Sequence, residues 1–193
     1  MRVIAGSAGG LSLAVPETVT RPTTDRVREA LFSSLGERVL DADVLDLYAG
    51  SGALGIEALS RGAKSATFVD ANDRVAAVIR KNLERTRLRG EVRNREVAAF
   101  LKSVPPGHYD LVFADPPYAR DEDTRAELAA LLASESLARC LRPDGLFLLE
   151  TMDRGDLPQP GTPLWTSLRD RRYGGTRLHY LTPAAPADTA SDA

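Results

Sequence analysis

Cysteine is almost missing from this chain. Cys140 is the only one in 193 residues, which excludes an internal disulfide and any cysteine zinc cluster. It lies in the apolar stretch SLARCL, where a small buried core residue is expected. The two histidines, His108 and His179, are far apart in sequence. A histidine metal site is therefore not expected, and each reads more simply as a surface or loop residue. No apolar run approaches the roughly 20 residues of a membrane span, and MRVIAGSAGG has no apolar stretch after its arginine of the kind a secretory leader carries. A cytoplasmic protein is the expectation. No internal repeat is visible, and a net charge of −2 gives no global sign of a nucleic-acid partner.

What is present is ordinary for a globular chain. A hydrophobic fraction of 43% and a charged fraction of 27% exclude a disordered or fibrous class, and the length suits one domain with appendages. The charge is unevenly spread. Between Arg74 and Arg95 stand Arg74, Arg80, Lys81, Arg85, Arg87, Arg89, Arg93 and Arg95, against only Glu84 and Glu91. A solvated helix face with an exposed turn explains such a run; a patch that faces phosphates is the alternative.

From residue 43 onward short apolar runs alternate with segments of helical period, the pattern of βαβ units around a parallel sheet. Strands are expected at 44–48, 66–70, 91–96, 109–115 and 145–151, and helices at 54–61, 74–85, 97–104 and 121–141. In the second helix of that series Val75, Ile79 and Leu83 share one face, and in the last Leu128, Leu131, Leu132 and Leu137 point inward. The fourth strand, YDLVFAD, is apolar enough for burial on both faces. Segments 167–173 and 176–181 flank Gly174-Gly175 and read as a hairpin that closes one edge antiparallel. The fold class is therefore α/β: a Rossmann-like, doubly wound, seven-stranded sheet with an antiparallel C-terminal hairpin. Two ends lie outside it. Residues 1–20 suggest a small β-hairpin around Ser7-Ala8-Gly9-Gly10. They precede a domain over 21–182 that opens on a helix with Thr23, Thr24 or Asp25 as its cap. Residues 183–193 have too few apolar side chains to fold.

The chemistry turns on LDLYAGSGALGI, residues 45–56, which contains Gly50-Ser51-Gly52-Ala53-Leu54-Gly55, a match to G-x-G-x-x-G. In a doubly wound sheet the ligand lies beyond the carboxyl ends of the strands, beside the first. There a glycine loop lets backbone approach a ligand, and a helix opening near Ala53 directs N–H groups at it. Asp70 ends the second strand, where a carboxylate can accept both hydroxyls of a ribose. These features fit a dinucleotide and S-adenosylmethionine alike, since both carry an adenosine. Asp46 separates them: a carboxylate at this strand end would repel a pyrophosphate, but suits a ligand whose far end bears an ammonium and a sulfonium. Such an Asp can also serve as a loop cap.

Asp115-Pro116-Pro117-Tyr118 follows the fourth strand, which neighbours the first across the switch point. An exocyclic amine on a base is a poor nucleophile because its lone pair is delocalised into the ring. Acceptors for both of its N–H hydrogens pyramidalise the nitrogen. The Asp115 carboxylate and Pro116 carbonyl can be those acceptors, the prolines fix the carbonyl direction, and Tyr118 offers a face on which a base stacks, worth about 1–3 kcal/mol.

DLYAGSGALGIEAL together with FADPPY resembles the amino-methyltransferases that use S-adenosylmethionine. RPTTDRVREALFSSL narrows the resemblance to the bacterial family that methylates the N2 amine of one guanine in small-subunit (16S) ribosomal RNA. It extends from Arg2 to about Leu181. The resemblance implies that Asp46 with Tyr48, Ala49, Gly50, Ser51 and Gly52 holds the methionine part of the cofactor, and that Asp70 with the adjoining Ala71 binds the ribose. Glu96 and the Val97 backbone would read the adenine amine, although a solvated carboxylate at a strand end accounts for Glu96 as well. Asp115, Pro116, Pro117 and Tyr118 would position the guanine. Arg21, Thr23, Arg26 and Arg28 would serve RNA phosphates or close over the cofactor, with helix capping by Thr23 and pairing of Arg28 to Asp25 or Glu29 as the plainer account. One departure stands out: where the family tends to place Lys and Arg in the first hairpin, this chain has Ser7 to Ser12 without a charge.

The resulting expectation is a monomeric, cytoplasmic enzyme that flips out a guanine and methylates it, in RNA already carrying ribosomal proteins. An adenine-N6 DNA methyltransferase is an alternative, although no extra segment has the size of a target-recognition domain. A nonenzymatic dinucleotide-binding module is another.

Overall fold

A computed structural model of the chain describes residues 1–16, 24–116, 122–152, 157 and 164–185. Helix α1 (Asp25–Leu35) and a 3₁₀ turn (Gly36–Val39) lead into β1 (Asp43–Leu47), α2 (Ala53–Ser60), β2 (Ser65–Asp70), α3 (Asp73–Thr86), β3 (Glu91–Asn94), α4 (Val97–Leu101) and β4 (Tyr109–Ala114). Then come α5 (Glu122–Leu132), α6 (Glu135–Cys140), β5 (Leu141–Met152), β6 (Trp165–Tyr173) and β7 (Thr176–Pro183). The strands form one seven-stranded sheet in the order β3-β2-β1-β4-β5-β7-β6. Its first five strands are parallel, and β7 and β6 close the edge antiparallel.

Strand alternation explains how both faces are covered. In β4, Leu111 and Phe113 face the layer that holds Phe32, Ile56 and Ile79, while Val112 and Ala114 face the layer of Phe100, Leu131 and Leu137. The expected inward sets, Val75, Ile79 and Leu83 on α3 and Leu128, Leu131, Leu132 and Leu137 beyond β4, are all buried, as is Cys140. Each fully buried Leu or Phe contributes roughly 1.5–3 kcal/mol.

Four details differ from the sequence reading. The helix expected over 121–141 is two helices, because the Ser134 side chain accepts the Leu137 N–H and starts α6 afresh. Strand β5 begins at Leu141 rather than at 145 and absorbs Pro143-Asp144-Gly145 in a register shift against β4. His179 is not a surface residue: it is 2% exposed on β7, with Nδ1 against Asp170 at 3.0 Å and Nε2 against Thr151 at 2.9 Å. Its alternation with Leu178 and Tyr180 in an edge-proximal strand hid that placement. The N-terminal hairpin has one strand bridge, Arg2 to Ser12, and closes through the bonds from Val3 N–H to the Leu11 carbonyl, Gly10 N–H to the Val3 carbonyl and Leu13 N–H to the Met1 carbonyl, without two full strands. It belongs to the core all the same, since Val3, Ala8 and Leu13 are buried against α1 and α2.

Polar groups fasten that segment. Glu57 on α2 accepts the N–H groups of Ile4 at 2.7 Å and Ala5 at 3.1 Å. The Ser60 hydroxyl accepts from Ala8 and donates to the Ala5 carbonyl. The Arg28 guanidinium donates to the Arg2 carbonyl and to Asp25. Helix α2 lies close on the sheet, and a Cβ at Gly55 would stand 2.3 Å from Phe68 Cε1. Gly55→Ala should therefore destabilise the fold by about 1–3 kcal/mol, read by urea denaturation, and Phe68→Leu in the same chain should recover part of the loss.

Candidate functional site

The sheet order reverses between β1 and β4, so the crevice beyond their carboxyl ends is the ligand position of a doubly wound fold. Three segments meet there: residues 48–52 after β1, residues 70–72 after β2, and Asp115-Pro116 after β4.

The loop after β1 makes its turn with Tyr48 at φ 55°, Gly50 at φ 54° and Gly52 at φ 75°, all left-handed. Gly52 N–H donates to the Ala49 carbonyl at 2.7 Å, and Ala49 N–H donates to the Val69 carbonyl at 3.1 Å. Left-handed backbone at 50 and 52 explains two of the three glycines in the motif. The third, Gly55, is explained by its contact with Phe68 and has no need of a ligand. Tyr48 is half-buried and its hydroxyl meets Glu127 of α5; burial first, then the carboxylates of Glu127 and Glu96, push its pKa up.

Gly52 is the N-cap of α2 and has no side chain to cap with. Asp46 supplies the acceptor from the strand, its Oδ2 taking the Gly55 N–H at 2.9 Å. The capping role therefore holds for Asp46, which is 2% exposed and lies beneath the loop. Burial first, then the nearby Asp70, raise its pKa to about 8 against the lowering effect of the Gly55 bond.

Asp70 stands half-buried at the tip of β2, accepting from Gly50 N–H at 3.2 Å and from Asn72 N–H at 3.0 Å. It thus bridges two of the loops, while Ala71 beside it is exposed. Glu96 is the N-cap residue of α4, makes no side-chain capping bond and is exposed, and Val97 is buried behind it. The influence of Glu96 on Tyr48 sets it on the same crevice. On the β4 side, Leu47 pairs in register with Ala114. Asp115, half-buried, therefore follows at the level of Tyr48, and Pro116 is buried next to it. Pro117 and Tyr118 lie outside the described residues, as do Arg21 and Thr23.

Of the remaining candidates, Arg26 is exposed on α1. Arg28 is corrected: its side chain is fully buried and paired with Asp25, the alternative weighed above, so no phosphate reaches it. Burial lowers its pKa against the opposing effects of Asp25 and Glu57. Thr24, not Thr23, caps α1 through the Val27 N–H.

Sequence reasoning missed Asn82. From within α3 its side chain accepts Ala14 N–H at 2.8 Å and donates to the carbonyls of Ala14 and Ser51, each at 2.9 Å. It couples the N-terminal segment to the glycine loop, and Ser51 returns a hydroxyl contact to Met1 Sδ at 3.3 Å. The available signal was a polar side chain adjoining the Val75-Ile79-Leu83 stripe, where a buried Asn has to be fully bonded.

Known proteins share this sequence family and fold. The family model described as conserved hypothetical protein 95 matches residues 1–182. Ribosomal RNA small subunit methyltransferase D of Haemophilus influenzae is 38% identical over 90% of this chain and 89% of its own length. The Escherichia coli protein of the same name is 43% identical over 62% of this chain and 61% of its own. The solved structure of yhhF from Escherichia coli superposes with a TM-score of 0.77 at 34% identity, covering 96% of this chain and 99% of that one.

Titration of Asp46 gives a test. An ordinary aspartate ionises near 3.8, whereas the folded chain holds this proton to about 8. The folded state therefore binds the proton more tightly than the unfolded state, and stability falls as pH rises between those two values. Asp46→Asn keeps an acceptor for Gly55 and removes the titration. Denaturation at pH 5 and at pH 8 should show the variant gaining on the native chain as pH rises, by on the order of a few kcal/mol; a pH-independent difference contradicts the assignment.

Proposed function

The chain belongs to the conserved hypothetical protein 95 family, and from that premise we propose that it is an S-adenosylmethionine-dependent methyltransferase acting on the N2 amine of a guanine in small-subunit ribosomal RNA. The observation that carries the reading is the register of β1 against β4. Leu47 opposite Ala114 sets the Asp115-Pro116 turn against the loop on which a methyl donor would lie. The names of relatives at 38% and 43% identity supply the substrate class, small-subunit ribosomal RNA.

The residues fit the cofactor. Two left-handed glycines clear room for backbone to approach it, and the Asp70 carboxylate at the β2 tip suits ribose hydroxyls. Burial holds the Asp46 proton to about 8, and a cationic ligand beside it favours the ionised form, so this carboxyl suits a sulfonium and an ammonium and gives a pyrophosphate no such gain. Glu96 and the Val97 backbone would take the adenine. When bound, S-adenosylmethionine supplies an electrophilic methyl on its sulfonium.

The chain's own work is positioning. The Asp115 carboxylate and the Pro116 carbonyl each accept one N–H of the guanine amine, which draws the nitrogen toward a pyramidal form and frees its lone pair. Proline at 116 fixes φ at its own position. Tyr118 receives the flipped base by stacking. Water has little access from below, because Asp46 beneath the loop and Ala49 and Ser51 within it are buried. The uncharged first hairpin favours RNA that already carries ribosomal proteins over protein-free RNA, since phosphate contacts dominate RNA affinity.

Asp115→Ala should lower methyl transfer to isolated small ribosomal subunits by at least about a hundredfold, while calorimetry finds cofactor affinity within a few-fold of native. Turnover close to native in that variant would remove Asp115 from the reaction.

A further inference from the structure

A second feature lies at the other end of the sheet. The C-terminus of α3, the turn after it and the start of β3 enclose a groove of about 530 Å³. Leu83, Leu88 and Val92 form its apolar lining, Arg80, Arg87 and Arg89 bring three exposed guanidinium groups to it, and Glu84 brings one carboxylate. Among the described residues, Arg93 pairs with Glu91 and Arg85 donates to the Ser12 carbonyl, whereas Arg80, Arg87 and Arg89 have no ion-pair partner.

Arg87 is the most informative of the three. It caps α3 in the left-handed conformation, φ 58° and ψ 25°, with Leu88 N–H closing back on the Leu83 carbonyl. That position favours glycine, and an arginine there is disfavoured. Its side chain is exposed, so the fold gains no packing in return.

The groove continues into a track. β3 pairs only with β2 and runs parallel to it, from the groove toward the end that carries Asp70 and Glu96. Arg93 and Arg95 are exposed along it. The 4 residues of β3 span about 13 Å, room for a few nucleotides of a single strand. Charged side chains on an open edge also discourage edge-to-edge pairing, which accounts for Arg93 and Arg95. It accounts neither for the concave groove nor for an arginine in a glycine conformation.

We propose that this β3-edge track, anchored in the groove by Arg80, Arg87 and Arg89, docks the phosphate backbone of the RNA whose base enters the crevice between β1 and β4. The proposal rests on the reading of the chain as a ribosomal RNA methyltransferase. It also answers where the chain keeps the charge that its first hairpin lacks. Eight basic side chains against two acidic ones stand between Arg74 and Arg95, in a chain of net charge −2. Each phosphate neutralised releases counterions and adds to the salt dependence of binding.

The test is the double variant Arg87→Gly/Arg89→Gln, compared with Lys102→Gln/Arg139→Gln, which removes the same charge from exposed positions on α6 and at the end of α4. Binding to a small-subunit ribosomal RNA transcript is followed by anisotropy over a salt series, and methyl transfer to isolated small subunits by steady-state kinetics. For the β3-edge variant we expect RNA affinity to fall about tenfold, the salt slope to become shallower by about 1 to 2, and KM to rise with kcat within twofold of native. Its thermal midpoint should be unchanged or higher, because glycine relieves the left-handed turn, so weaker binding cannot be ascribed to unfolding. The Lys102/Arg139 variant should match the native chain. An unchanged affinity and slope in the β3-edge variant, or an equal loss in both variants, overturns the proposal. A native chain that binds the transcript through this edge but transfers no methyl to isolated subunits overturns the proposed reaction and leaves the surface standing; one that binds neither the transcript nor isolated subunits overturns both.

Discussion

The bond from the Asp46 carboxylate to the Gly55 N–H is the constraint on which the site is built. Helix α2 has glycine at its N-cap, because the chain must turn there in a left-handed conformation that a capping side chain would disfavour. An unpaired helix start in a buried place is costly, and β1 resolves it by sending a carboxylate upward from inside the sheet. The same pull brings α2 so close to β2 that Gly55 rides on Phe68. Loop shape, helix position and buried carboxyl are one solution, and altering any of the three moves the other two.

Around that centre the chain uses polar groups where a larger protein would use more apolar area. The N-terminal segment has one strand bridge, yet Glu57, Ser60, Asn82 and Arg28 hold its backbone. Asn82 is the member that matters for chemistry, since its amide reaches both Ala14 and the Ser51 carbonyl. The segment is thereby tied to the glycine loop. At the foot of the sheet Arg142 joins Asp43 and Asp110, which ties β1, β4 and β5 at the end away from the site. The crevice is left between strands that are locked at their far ends.

Much of this was legible in the sequence. Period alternation gave the strands and helices of the parallel sheet, because strands such as YDLVFA, buried on both faces, have few other readings. The residues of the crevice were legible too, since Asp46, Gly50, Gly52, Asp70 and Asp115 all stand at strand ends, where topology alone brings them together. Long-range polar pairing was not legible. Nothing local says that Glu57 receives the backbone of Ile4, or that His179 is buried between Asp170 and Thr151. Arg28 shows the same limit. An arginine in a helix with acidic neighbours reads as a surface cation, and only the packing of residues 1–13 over α1 and α2 encloses it.

Asp46 and Asp115 then divide the labour. In the proposed reaction the first, beneath the loop, gains its charge beside a cationic ligand, and the second, on the neighbouring strand, receives the group that reacts. The most direct measurement of this account is nucleoside mass spectrometry of small-subunit ribosomal RNA from cells lacking the chain. The account predicts that one N2-methylated guanine disappears and returns when the native gene is restored. An unchanged set of N2-methylguanines, or the loss of a different modified nucleoside, would contradict it.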